Sequence, residues 1–158
     1  MQLEFLGEAF DPADCRRMCD NCRRGGGGYE AVDMTKNVLT LIRCVEDCGG
    51  KITAGQLADL MRGRQVTSVF LRKDVTAKHK GLLKHVSEGD VRRLIIKSLI
   101  MGVLEEVFET FNRGGGSNLV VYTQIGPRAG FIAGGGLTVR LSKAVAKRDD
   151  EFSDNEEV

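Results

Sequence analysis

The sequence predicts an α+β fold, and three observations carry that expectation. Several segments repeat apolar residues at helical spacing and open on residues that cap helices. Two runs rich in β-branched and aromatic residues, "VLEEVFETF" and "NLVVYTQI", flank the turn-forming stretch "NRGGGS". Ahead of both lies "CRRMCDNC", a knot of three cysteines that marks a small separate piece.

The elements follow in order. "DMTKNVLTLIRCVEDCGG" offers Asp33 as an N-cap, Val38, Leu41, Ile42, Val45 and Cys48 as one apolar face, and Gly49-Gly50 as the stop. "KITAGQLADLMRG" sets Thr53 and Gln56 three apart as a capping box, lines one face with Leu57, Leu60 and Met61, and ends at Gly63. "RQVTSVFLRKDVTAKHKGLLKHV" has no clean period and is expected to be a basic loop with a turn of helix. "SEGDVRRLIIKSLIMG" predicts a third helix, with Ser87 and Asp90 at capping positions and Val91, Leu94, Ile95, Ser98 and Leu99 inward. Arg92, Arg93 and Lys97 then face solvent. The two β-rich runs predict a hairpin with a long flexible tip, Phe111 being packed just below it. "GPRAGFIAGGGLTVRLSKA" adds a turn at Gly126-Pro127, a short helical or irregular piece and a strand over 137–141. Three helices followed by a hairpin is the order of a winged helix.

Cys15, Cys19 and Cys22 have the spacing C-x3-C-x2-C, and the two-residue gap lets one tight turn present two thiolates to a single zinc ion. A tetrahedral site needs a fourth ligand. Cys44, Cys48, His79 and His85 are the candidates within the chain, but the cysteines read better as helix thiols and the histidines as solvated or phosphate-facing. The expected architecture is therefore a winged helix, three helices plus a β-hairpin wing, preceded by a small, truncated helical zinc-binding subdomain. Gly25 to Gly28 mark the boundary. Residues 1–24 form the partial zinc-binding subdomain, 29–148 the winged-helix domain and 149–158 an acidic, disordered tail.

The formal charge of +1 over 158 residues hides an asymmetry, because the last ten residues hold six acidic side chains and no basic one. Residues 1–148 carry +7, a basic body that suits a polyanionic partner. Ser87, Arg92, Arg93, Lys97, Lys80 and Lys84 are the expected phosphate contacts, with Arg113 and Asn118 at the wing tip. No apolar run approaches the roughly 18 residues of a membrane span, and the N-terminus has no signal-peptide layout, so no membrane partner is expected. Five cysteines, an odd number with three clustered, fit reduced thiols inside a cell. The chain holds no G-x-x-x-x-G-K-[ST] phosphate loop, H-E-x-x-H or nucleophile elbow, so it is not expected to be an enzyme by itself.

"FLGEAFDPADC" running into "CDNC", then a winged helix ending "VVYTQIG", resembles the C-terminal region of RecQ helicases, Bloom-type members in particular. That region is a zinc-binding subdomain followed by the RQC winged helix. The resemblance implies that Cys15, Cys19 and Cys22 bind structural zinc with a fourth cysteine upstream of Met1, and that upstream helicase motor domains complete the protein. It further implies a nuclear, ATP-dependent, three-prime to five-prime helicase whose winged helix grips double-stranded or branched DNA in repair, recombination and replication, alongside repair proteins. The Gly-rich wing tip departs from relatives that carry an aromatic residue there. Two rivals stand beside this reading: a winged-helix protein-interaction module with no direct DNA role, and a stand-alone thiol or metal enzyme.

Overall fold

Thr53 and Gln56 do at the second helix what their spacing predicts. The threonine hydroxyl accepts from the Gln56 N–H at 3.2 Å, and the glutamine carbonyl accepts from the Thr53 N–H at 3.1 Å. The computed structural model that shows this describes residues 16, 18, 29–113 and 116–144. Cys15, Cys19 and Cys22, the glycine boundary at 25–28 and the tail at 149–158 lie outside the described residues.

The described elements are β1 (Tyr29–Asp33), α1 (Thr35–Asp47), α2 (Ala54–Arg62), α3 (Lys73–His79), α4 (Glu88–Ile100), β2 (Leu104–Arg113), β3 (Gly116–Ile125), α5 (Ala129–Ala133) and β4 (Arg140–Ala144). The order is that of a winged helix, with α1, α2 and α4 as the three helices and β2–β3 as the wing. Val38, Leu41 and Val45 of α1, Leu57, Leu60 and Met61 of α2, and Val91, Leu94 and Ile95 of α4 meet in one core closed by Val103 and Leu104. Each is an inward position of a 3.6-residue stripe, so the pattern that predicts the helices also predicts their contacts.

The wing is antiparallel, with Leu104 opposite Ile125 and Arg113 opposite Gly116. The paired strands run to Arg113 and Gly116, and residues 114–115 between them lie outside the described residues. Pairing outlasts the hydrophobic pattern here because backbone bonds need no particular side chain. Ahead of α2, Ile52 bridges antiparallel to Thr123, whose N–H donates to the Ile52 carbonyl at 2.7 Å. That bond joins the wing to the helices.

Several expectations shift. The N-cap of α1 is Met34, and Asp33 instead accepts from the Thr35 N–H at 2.8 Å from one residue further out. The last strand begins at Arg140, later than the apolar run suggested, and pairs with β1, a strand too short and too exposed to show an alternating pattern. Leu99 is half-buried. The largest departure is α3, a two-turn helix where a loop with one turn was expected. Its inward positions are Val75 and His79, in line with Leu71 just ahead of the helix, and the histidine conceals the period because it counts as polar. His79 is 3% exposed, not solvated, and its Nε2 lies 2.7 Å from Asp47 Oδ2, which also accepts from Lys78 Nζ at 2.7 Å. Asp47 thereby ties α3 to the end of α1.

Two outcomes follow for stability. A Cβ on Gly126 would lie 2.4 Å from the Gly102 carbonyl oxygen, in backbone that cannot swing away. Gly126→Ala should therefore cost about 1–3 kcal/mol or more in a urea melt. Lys78 and then His79 hold the Asp47 carboxyl below its ordinary range, so its contribution is present at neutral pH and lost as pH falls through the folded-state value. Asp47→Asn should be less stable than the parent chain at neutral pH, and the two melts should converge in acid.

Candidate nucleic-acid interface

The expected phosphate contacts on α4 are largely engaged within the protein. Ser87 caps the helix, its hydroxyl accepting from the Asp90 N–H at 3.1 Å. Arg92 donates to Glu88 at 3.1 and 3.2 Å, and Arg93 to Asp90 at 3.0 Å. These carboxylates sit in the first turn, where the helix dipole favours them, and they fill the anion-attracting end with the chain's own charge. Lys97 is half-buried and donates to the Arg140 carbonyl at 2.6 Å, so it is not the unengaged cation that its helical position suggested. The outer face of α4 instead shows Ile96 and Ile100, 55% and 81% exposed.

The basic stretch from Arg62 to Lys84 behaves differently. It holds seven lysines and arginines against one acidic residue, Asp74. Arg62 is taken up by the carbonyls of Lys84 and Val86, Arg72 by Asp74 at 2.6 Å and Lys78 by Asp47. Arg64 is shared between Glu88 at 2.6 Å and Asp59 at 2.9 Å, and those bonds raise its pKa above the usual value. Among the described residues, no carboxylate pairs with Lys73, Lys80 or Lys84; Lys80 touches only the neutral Gln65 amide, at 3.3 Å.

Lys73 and Lys80 line one side of a cleft of about 390 Å³, with Arg64, Gln65, Thr67, Ser68 and Thr76 completing its polar wall. Leu60 and Leu71 form its floor. Two ammonium groups without carboxylate partners, in a cleft also lined by hydroxyls and an amide, have the chemistry to hold a phosphate, since each anion oxygen can find a donor. Arg64 links this cleft to the start of α4, because its partner Glu88 also receives Arg92. Arg64 first and Arg92 second hold the Glu88 carboxyl below its ordinary range. The cleft and the Ser87 end of α4 are thus one continuous polar surface.

Lys73, Thr67 and Ser68 were missed as site residues because they lie on the segment with no legible period. The signal was the local charge excess, which names a region without naming a geometry. On the wing, Asn118 is exposed and paired across the hairpin with Phe111, while the Arg113 side chain lies outside the described residues. Among the described residues no three His, Cys, Asp or Glu side chains come together as a metal site. Cys44 of α1 and Cys48 at its C-terminal cap are buried, and the hydrogen bond the Cys44 thiol makes to Cys48, followed by burial, pushes that thiol well up, away from the thiolate a metal or a nucleophile requires. No helix of the described residues is long and apolar enough to cross a membrane.

Comparison with known proteins agrees with this architecture. The chain is 33% identical over 119 residues to the ATP-dependent DNA helicase hus2/rqh1 of Schizosaccharomyces pombe, a match covering 75% of this chain and 9% of that protein. It is 23% identical over 146 residues to the ATP-dependent helicase SGS1 of Saccharomyces cerevisiae, covering 91% of this chain and 10% of that one. The ATP-dependent DNA helicase Q-like 4B of Arabidopsis thaliana matches at 23% over 146 residues, 13% of its length. The chain thus spans about a tenth of the length of these relatives. The RQC domain family matches residues 28–150, which take in the helices, the wing and the basic cleft, and the chain belongs to that family.

Proposed function

We propose that this chain is the DNA-binding accessory module of a RecQ-type, ATP-dependent DNA helicase, gripping duplex or branched DNA in the nucleus during repair, recombination and replication. The observation that carries the reading is the cleft in which Lys73 and Lys80 stand without carboxylate partners, joined through Arg64 to Glu88 at the start of α4. Arg62, Arg64, Arg72, Arg92 and Arg93 are taken up by the chain's own carbonyls and carboxylates; here two lysines are left for an outside anion. The duplex backbone is a regular array of such anions, and its binding needs no sequence readout. The ATP-driven motor belongs to other domains of the same helicase.

Zinc is part of this proposal. Cys15, Cys19 and Cys22 supply three thiolates, while the Cys44 thiol is pushed up by its hydrogen bond with Cys48 and by burial, and His79 is engaged with Asp47. A cysteine upstream of Met1 remains the preferred fourth ligand, and structural zinc there would order the N-terminal piece without touching substrate.

A protein-interaction winged helix is the second reading, and one observation favours it. Ile96 and Ile100 on α4, with Phe108 and Leu119 on the wing, are exposed apolar side chains where a groove-reading helix would carry polar ones.

Fluorescence anisotropy on a blunt duplex, a fork and a single strand across salt concentrations separates the readings. With about three phosphates neutralised, the log affinity for duplex should fall against log salt with a slope near −3. Lys73→Ala, Lys80→Ala and Lys84→Ala should each flatten the slope by about 1. Arg92→Ala should change it less, its charge being already shared with Glu88. No binding at low salt by folded protein would sink the proposal. Ile100→Glu should leave DNA affinity within about twofold; a large loss would show that α4 itself enters the groove.

A further inference from the structure

Phe70 is a phenyl ring half in water, 50% exposed, on the segment between α2 and α3, yet it is held in place. Its ring lies 5.8 Å from that of Phe111 with the planes 27° apart, an offset stack. Both rings meet Tyr122 edge-on, at 6.3 and 6.4 Å with planes 83° and 85° apart. Tyr122 is itself buried, and Lys51 sits 5.1 Å from the centre of its ring while pairing with Glu109. The wing therefore supplies a fixed aromatic base on which Phe70 rests. Its outer surface stays wet although apolar packing would favour covering it, and the neighbouring Val69 is also exposed.

The surroundings say what such a surface suits. Ser68 and Leu71, on either side of the Val69-Phe70 pair, line the basic cleft together with Lys73 and Lys80. A protein partner that buried the ring would also desolvate this cationic wall. An unpaired nucleotide does neither harm: its phosphate takes the cations and its base takes the ring, whatever the sequence. Phe111 stands opposite Asn118, two residues before Arg113, so the ring pair lies toward the free end of the wing.

We infer that Phe70, backed by Phe111, is a stacking platform for one unpaired nucleobase, placed beside the phosphate-binding cleft. The inference rests on the DNA-binding reading above and adds a second substrate class to it, single-stranded nucleic acid at the edge of a duplex. It also assigns to a loop the aromatic contact that the glycine-rich end of the wing does not carry.

The test uses the whole chain with Phe70→Ala and Phe70→Leu, and three probes: an oligothymidylate containing one 2-aminopurine, a fork with 2-aminopurine in its unpaired arm, and a blunt duplex. The parent chain should quench the 2-aminopurine in the first two. Both variants should lose the quenching and bind single strand and fork about tenfold more weakly, with blunt-duplex affinity unchanged. Leucine keeps most of the apolar volume but has no π-face, so it decides the matter if the alanine variant fails to fold. Full binding by the leucine variant would overturn stacking in favour of a general apolar contact. Single-strand binding indifferent to both variants, with duplex binding intact, would overturn the platform and leave the cleft standing. Failure of every probe to bind would overturn both.

Discussion

The functional surfaces of this domain depend on one buried backbone hydrogen bond, from the Thr123 N–H to the Ile52 carbonyl. Ile52 and Thr123 are both buried, so neither group has water as an alternative partner, and breaking the bond would leave two unsatisfied polar groups in the core. The bond fixes the wing against the helices just before α2 begins. Tyr122, adjacent in sequence, is thereby placed to meet Phe70, while the β2–β3 pairing itself positions Phe111 beside Tyr122 and brings Gly126 against the Gly102 backbone.

A second constraint is electrostatic. The described residues contain many more potential phosphate contacts than they leave open, because most arginines find a carboxylate or a carbonyl at hand. Such exposed pairs contribute little to stability, and an incoming phosphate can compete for them at small cost. The uncompensated lysines are different in kind. They concentrate where α3 and its flanking loops fold back on α2, and their mutual repulsion is tolerated because the cleft is open to solvent. Under the proposed DNA-binding function, affinity starts at the cleft and spreads to α4, the reverse of a helix-led docking.

Particular residues show how much was legible. The capping box at Thr53 and Gln56, the stop at Gly63, the Ser87 cap and the three apolar stripes were readable because each is a local rule acting within one or two turns. The wing was readable from its composition. What failed was short or disguised: β1 has five residues and no alternation, and the stripe of α3 runs through a histidine. Of the site residues, Lys80 and Lys84 stayed available, Ser87 became a cap, Arg92 and Arg93 became paired and Lys97 was diverted to a backbone carbonyl.

The sequence by itself determined the helices, their inward faces, the order of a winged helix and the excess of positive charge between Arg62 and Lys84, since these are properties of neighbours along the chain. Only the tertiary structure decided which cations remain unpaired, that Lys73 and Lys80 share a cleft, and that Phe70 rests on a wing residue 41 positions away. The reason is that charge pairing and aromatic stacking act through space over a few ångströms, and the partners that settle them, Glu88 for Arg64, Arg140 for Lys97 and Phe111 for Phe70, are brought close only when the core closes.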